Sequence, residues 1–467
     1  MLFDSYIDAD KDSIVREIQN LVRIRSVEEQ PEEGKPFGKG PDEALRYMLQ
    51  AGRSLGFDTE NFDGYAGQIE YGSGQGIVGV LVHVDVVPEG DGWTHPPYSA
   101  KIIDGKIYGR GAYDDKGACI AALYALKALR ASQIPIRKRI RIIIGANEET
   151  GMKDIPYYLT KEREPDMAFS PDAPFPVVYG EKGILELVFR KKFRQDGPGI
   201  ISRIDGGTAA KIVPGRCSCV LRVNTEEKDR VITILSGMKT GFEKLHEYEP
   251  EHQELSVTII GKEAYGTTPD QGKNAISGMM AFLEKADFME EELLTFIREY
   301  NRKIGEEYDG SALKCNFSDD ISTPLTFNTG TVLYENGSIE MKAHIRYPIR
   351  TDHEDILRNI RDNFLPGDVS IEIDRLSKAH LIDKESFLVK KLMGIYREAT
   401  GDTAAEPETM TGGTYARSLN NAVAFGPLFP GEKQMAHSTD EYLTIASILK
   451  AAKIYAQAMY ELSAEEQ

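Results

Sequence analysis

"GIVGVLVHVDVV", residues 76–87, is apolar at both alternations of a two-residue period as far as Val82. A strand with one wet face alternates, whereas one that is apolar on both faces is buried on both and belongs inside a parallel sheet. His83 and Asp85 then alternate with valines, so both project to one side of the run. Similar runs follow: "KRIRIIIGA" (138–146) reads as a second buried strand and "DMAFSPDA" (166–173) ends a third. Between the first two, "KGACIAALYALKALRA" (116–131) reads as a helix. Strand, helix, strand at this spacing specifies an α/β domain: an open, mostly parallel sheet with helices on both faces.

On the N-terminal side, Ile14, Ile18, Leu21 and Val22 mark one face of a helix that follows Asp10. A second helix starts at Pro41, carries Leu45, Met48, Leu49 and Leu55, and stops near Gly56. "AKIIDGKIYG" (100–109) places Asp104-Gly105 between two β-prone runs, a hairpin signal. The middle of the chain reads differently. "ILELVFRKKF", "CSCVLRVN", "LSVTIIG", "SIEMKAHIRYP" and "VSIEID" alternate with polar residues, as in a half-exposed antiparallel sheet, and helical stretches such as "ISGMMAFLEKA" lie between them. Afterwards "ESFLVKKLMGIYREATG" is helical, "NAVAFGPLF" reads as a buried strand and "DEYLTIASILKAAKIYAQAMYELSA" as a long closing helix. The expected organisation is one α/β domain in two parts, residues 1–183 and 383–467, with an α+β domain inserted at 184–382.

The 467 residues exceed the usual size of a single core, in keeping with two domains. A net charge of −18 argues against nucleic acid or an anionic membrane as partner. "MLFDSYIDADKD" has neither a basic n-region nor an apolar h-region, and the longest apolar runs are too short to span a bilayer, so a cytoplasmic protein is expected. Cys119, Cys217, Cys219 and Cys315 form no paired framework and read as reduced packing residues.

Polar groups cluster at the ends of the proposed parallel strands. They are His83 and Asp85, Asp114 and Asp115 in "GRGAYDDKG", Glu148 and Glu149 in "GANEETG", Asp172 in "SPDAP", and His437 in the late "AHSTDEY". Taken singly, each has a plainer reading: a buried hydrogen-bonded couple, a turn, a solvated pair. Each follows an apolar run, however, and open α/β sheets collect ligands beyond the carboxyl ends of their strands. Four acidic clusters and two histidines there make a large negative charge, for which a divalent cation is the simple remedy.

These motifs, in this order, resemble those of the co-catalytic dizinc amidohydrolase family. That family contains aminoacylase, carboxypeptidase G, succinyl-diaminopimelate desuccinylase, carnosinase and the bacterial dipeptidases of the peptidase V type. "HVDVVPEGDGW", "GRGAYDDKGA", "NEETG", "SPDAPFPV" and "AHSTDEY" carry the likeness, and "GGTYAR" (412–417) with the large insertion is most similar to peptidase V. The resemblance implies a catalytic α/β domain, an inserted lid and two divalent metal ions, zinc first, with Mn²⁺ or Co²⁺ also fitting. His83 and Asp172 would hold one ion and Glu149 and His437 the other, Asp114 would bridge both, and the Asp114–Asp115 bond would be cis. Asp85 would orient His83, and Glu148 would be the general base. The substrate would be a small peptide, hydrolysed at its amide bond.

Recognition of a dipeptide's carboxylate calls for a fixed cation, and Arg346 in "HIRYP" resembles the family's carboxylate-binding arginine. Gly412, Gly413 and Thr414 offer backbone donors for the same end. The lid departs from the family in two places. "GKEAYGTTPDQGKNA" (261–275) has Tyr265 where the family's "G-x-x-A-H-G-x-x-P" has histidine, and "AAKIVP" (209–214) has Lys211 where the dipeptidases carry asparagine. Three readings stay open: a dipeptidase, an N-acyl-amino-acid deacylase with the same centre, or a metal-binding member with weak or lost catalysis. Monomer or homodimer is left undetermined.

Overall fold

Alternate side chains of Ile77–His83 enter two different cores. Val78, Val80 and Val82 pack with Ile140, Ile142 and Ile144 of the neighbouring strand Arg139–Gly145 on one face, whereas Leu81 and Ile143 pack with Ile155, Tyr158, Ala168 and Tyr415 on the other. Burying a side chain of this size is worth roughly 1.5–3 kcal/mol, which is why neither face of the strand tolerates a polar residue before His83. In this computed structural model residues 1–194, 199–238, 241–286, 290–364 and 369–464 are described. They form two compact units, Met1–Gly180 with His380–Gln467, and Glu181–Ala379.

The sheet of the first unit runs Asp58–Phe62, Ala66–Tyr71, Arg139–Gly145, Ile77–His83, Met167–Ser170, Ala422–Ala424, Val178–Glu181 and His380–Leu381, with Glu408–Met410 also pairing to Val178–Glu181. Its four central strands are mutually parallel. The hairpin at one margin and Val178–Glu181 at the other pair antiparallel. Helices Lys11–Val22, Lys39–Ser54, Gly117–Ser132, Phe387–Thr400 and Ile445–Ala464 bury their apolar residues in the larger core.

Three boundaries differ from expectation. The second helix begins at Lys39, so Pro41 sits in its first turn, where a missing N–H costs no bond, and Leu55 falls just outside. "NAVAFGPLF" is two short strands, Ala422–Ala424 and Pro427–Leu428, because Gly426 adopts φ +70° and Pro427 has no N–H to donate. The closing helix starts at Ile445; Tyr442–Thr444 instead pairs with Lys106–Tyr108 of the Asp104-Gly105 hairpin.

The second unit is the expected α+β domain. Its eight-stranded sheet is antiparallel at every recorded pairing. Helices Thr225–Gly237, Ala275–Ala286, Glu291–Lys303 and His353–Asn363 share its core, while the other face is polar. Thr326–Glu335 and Ser338–Tyr347 are joined by Asn336-Gly337, both at positive φ, the two-residue turn that suits the twist of a hairpin. That turn, with a one-residue register shift between Thr329 and Thr331, sets Arg346 opposite Thr326 and His344 opposite Asn328. All four cysteines are buried and unpaired. No helix among the described residues is long and apolar enough to cross a membrane.

Candidate active site

His83 ends the central strand, and its imidazole is fixed from both sides. Nδ1 lies 3.0 Å from the backbone carbonyl of Asp85, and Nε2 lies 3.0 Å from Asp114 Oδ1 and 3.8 Å from Asp172 Oδ2. A carbonyl only accepts, so Nδ1 carries a hydrogen, and Nε2 faces two carboxylates. That contact is favourable only with positive charge there, either a proton on Nε2 or a cation between the groups. His437, at φ +61° on the loop before the closing helix, meets the same difficulty: its Nε2 lies 2.9 Å from Glu149 Oε2 and 3.3 Å from Asp114 Oδ2.

Two donor groups result, His83–Asp114–Asp172 and Asp114–Glu149–His437, each with its ligand atoms within 4.8 Å of one another. Asp114 belongs to both. It sits on a tight, buried turn whose Asp114–Asp115 peptide is cis. Imidazole nitrogen with carboxylate oxygen is a donor set that suits Zn²⁺ and also Mn²⁺ or Co²⁺, so these residues fit a pair of divalent cations.

The electrostatics carry the same mark. Burial pushes Glu148 up to about 8, reinforced by Glu149, Asp114 and Asp85. Burial, then Asp114, raises Asp172 and Glu149 as well. Asp114 goes the other way: against its burial, hydrogen bonds from His437 and His83 hold it far below the usual carboxylate range. The imidazoles rise in return, His437 to about 11, despite burial. Burial is the largest cause of each carboxylate's rise, and the neighbouring carboxylates add to it.

Asp85 is placed differently from a simple orienter of His83. Its carboxylate Oδ1 stands 3.5 Å from Nδ1, farther than its own carbonyl, and it accepts the backbone N–H groups of Glu148 at 3.1 Å and Glu149 at 3.0 Å. The adjacent glutamates are thus pinned through their backbones, which turns their side chains to different tasks. Asp154 holds the start of the same turn by accepting from Asn147 N at 2.7 Å, and it also accepts from the Tyr415 hydroxyl. Tyr415 follows Gly412, Gly413 and Thr414, and its ring meets the His83 imidazole edge-on at 6.1 Å. Thr414 is buried, its hydroxyl accepting from Ala416 N, and Gly413 packs so closely on Arg417 that a side chain there would collide.

Two residues of the site escaped the sequence reading. Arg110 and Glu441 form a buried ion pair at 2.6 Å. Glu441 accepts from Tyr113 N and Asp114 N, and Arg110 donates to the carbonyls of His437 and Ser438. The available signal was position: both charges lie inside quoted motifs, Arg110 four residues before Asp114 and Glu441 four residues after His437.

Arg346, Tyr265 and Lys211 lie in the second unit. Tyr265 is 53% exposed on the short strand Ala264–Tyr265, paired with Ile212–Val213 immediately after Lys211. Arg346 is half-buried on the polar face of Ser338–Tyr347, where its Nε donates to His344 Nε2 at 2.9 Å.

Known proteins resemble this chain over nearly its whole length. Residues 79–461 match the model of peptidase family M20/M25/M40. YtjP of Bacillus subtilis (strain 168) is 36% identical over 97% of this chain and 98% of its own. The Beta-Ala-Xaa dipeptidase of Lactobacillus delbrueckii subsp. lactis is 31% identical over 100% and 99%. Among solved structures, the di-peptidase Dug1p from Saccharomyces cerevisiae has the same fold at 15% identity, with a TM-score of 0.59 and 98% of each chain covered. Human carnosine dipeptidase 1 likewise matches at 16% identity, with a TM-score of 0.58 and 99% of each covered. The chain belongs to peptidase family M20/M25/M40 and is a hydrolase of that family.

Proposed function

We propose that the protein is a metal-dependent dipeptidase that cleaves the single amide bond of its substrate. The supporting observation is the pair of donor groups sharing Asp114, with the pinned, uncommitted carboxylate of Glu148 beside them. In this proposal His83 and Asp172 would hold one divalent ion, Glu149 and His437 would hold the second, and Asp114 would serve both. Such ions, when bound, polarise the scissile carbonyl and acidify water.

The chain's own residues then do the following. Asp85 keeps Glu148 and Glu149 in register through their amides. Glu148 takes a proton from the attacking water as the C–O bond forms, and returns it to the leaving nitrogen as the C–N bond breaks. Arg346, with the backbone at Gly412, Gly413 and Thr414, receives the substrate's carboxylate, and Tyr265 and Lys211 supply a hydroxyl donor and a charge to the developing oxyanion. This assigns the second unit the part of a lid, with flexion at Gly183 and at residues 380–384. A small peptide is the only partner required, in keeping with a cytoplasmic hydrolase.

The similarity to a Beta-Ala-Xaa dipeptidase favours an unblocked dipeptide over an N-acylated amino acid. The test is hydrolysis of matched dipeptides and their N-acetyl forms by protein loaded with Zn²⁺ or with Mn²⁺. Faster cleavage of the acetylated series would replace the dipeptidase reading with a deacylase. Metal binding without cleavage of either would leave a binding protein.

A further inference from the structure

His344 is out of character with its surroundings. On Ser338–Tyr347 the residues Glu340, Lys342, His344 and Arg346 share the polar face of the sheet. Their neighbours on that face are ordinary surface ion pairs, Arg190–Glu340 and Lys342–Asp374. His344 alone in this row is buried, at 1% exposure.

Both its nitrogens are engaged. Nε2 is 2.9 Å from Arg346 Nε, and Nδ1 is 3.0 Å from Oε1 of Glu186, its cross-strand partner on Gly183–Lys192. An arginine Nε–H can only donate. Nε2 must therefore accept, the ring must be neutral, and its hydrogen must sit on Nδ1 and point to Glu186. One tautomer satisfies the chain Glu186–His344–Arg346, and it fixes the plane of the guanidinium.

The same imidazole also lies under the loop that carries Tyr265. A Cβ on Gly266 would stand 3.1 Å from His344 Cδ2. Gly266 is held there by its N–H to Lys211 O at 2.8 Å and by Thr326 Oγ1 donating to its carbonyl at 3.0 Å. Thr326 is in turn the cross-strand partner of Arg346. Arg346 and Gly266, the neighbour of Tyr265, thus meet at one ring, and Lys211 is tied to it through its backbone bond to Gly266.

Taking Arg346 as the anchor for the substrate carboxylate, we propose that His344, oriented by Glu186, is the positioning residue that presents Arg346 and seats the Tyr265 loop against it. The substrate selectivity that follows is for peptides with a free C-terminal carboxylate of fixed direction.

The test compares hydrolysis of β-alanyl-leucine with that of its C-terminal amide by the metal-loaded full chain. Three variants are needed: Arg346→Ala, His344→Met, which keeps bulk without an acceptor nitrogen, and His344→Gln, whose amide oxygen can accept from Arg346 Nε. Arg346→Ala is expected to abolish the preference for the free acid. His344→Met is expected to raise KM for the free acid about tenfold with a smaller change in kcat, and His344→Gln to recover most of that loss. If Arg346→Ala keeps the preference, the anchor reading itself fails. If Arg346→Ala loses it while His344→Met keeps it, the positioning role alone is overturned. Equal losses in His344→Met and His344→Gln, at matched thermal stability, would likewise overturn it, because an acceptor would then be irrelevant.

Discussion

Arg110 and Glu441 pair at 2.6 Å with almost no exposure, and between them they touch the backbone of both segments that carry the site: Asp114 through its amide and His437 through its carbonyl. A buried pair of this kind is costly to break, because the survivor is an uncompensated charge. Glu441→Ala should destabilise the protein by ~3–5 kcal/mol, and Arg110→Met in addition should recover part of that. Urea unfolding of the two single variants and the double variant gives the answer; a loss below ~1 kcal/mol, the range of a surface pair, would mean the pair is incidental.

Glu148→Gln should bind metal as the wild type does and lose turnover by on the order of 10²–10⁴. In the proposed mechanism ligation would use Glu149, not Glu148, whereas proton transfer would need a basic oxygen at that position. Steady-state kinetics beside a metal assay on the same preparation decides it, and near-normal turnover by a fully metallated variant would sink the role.

Metal titration by calorimetry should saturate at two equivalents of Zn²⁺ or Mn²⁺. Asp114→Asn should weaken both equivalents, since Asp114 is common to the two donor groups, whereas His437→Ala should weaken one. Prolonged chelation should remove activity, and re-addition of metal should restore it. A single equivalent in the wild type would end the dinuclear assignment.

The His344 relay has a pH signature. Burial holds this imidazole below its ordinary 6.5, against the hydrogen bond to Glu186 and with help from nearby Arg346 and Arg375. A base whose folded value is depressed contributes stability that is complete above its unfolded value and is lost as pH falls toward the folded one. The stability difference between wild type and His344→Gln should therefore be level above about pH 7 and shrink on acidification below ~6.5. A difference that grows as pH falls would require a protonated His344 in the folded protein.

Tyr265→Phe should lower kcat by ~10²–10³ if the hydroxyl donates to the oxyanion. Tyr265→His restores the residue usual at this position of the resembling enzymes. A neutral Phe variant combined with a sharp gain in the His variant would instead mark the native protein as a slow or specialised hydrolase.

What could be read in advance divides along physical lines. Ile77–His83, Arg139–Gly145 and Gly117–Ser132 announced themselves because burial on two faces leaves apolar stretches inside them, 77–82, 142–144 and 118–126. The margins were harder. The hairpin Asp58–Phe62 and Ala66–Tyr71 mixes charged and apolar residues because its outer strand is largely exposed, so neither period stands out. Tyr442–Thr444 reads as helix in the sequence because its apolar residues run straight into a helical pattern, and only its pairing partner at Lys106–Tyr108 makes it a strand. At the site, His83 was conspicuous as a polar residue after an apolar run, and Asp114 and His437 through the motifs that carry the family resemblance. The backbone-directed roles of Asp85, Glu441 and Asp154 were not, because an amide acceptor leaves no spacing rule in the sequence. His344 stood inside a quoted motif and gave no signal, since its importance lies in Glu186, which the chain brings to it from 158 residues away.

The strand Ala422–Ala424 lies between Met167–Ser170 and Val178–Glu181 in the central sheet. A ribosome making this protein therefore releases the sheet with a gap in its middle, and the gap stays open while roughly 240 residues, those between the strand at 178–181 and that at 422–424, are added at ~5–20 residues per second. During that interval Met167–Ser170 offers an unpaired apolar edge, the kind that invites wrong partners. The inserted unit, whose sheet is closed by its own strands, can fold meanwhile. The first unit becomes whole only when its last segment arrives, and the same event delivers His437 to Asp114 and Glu149, so this donor group and the sheet are completed together in the life of the chain.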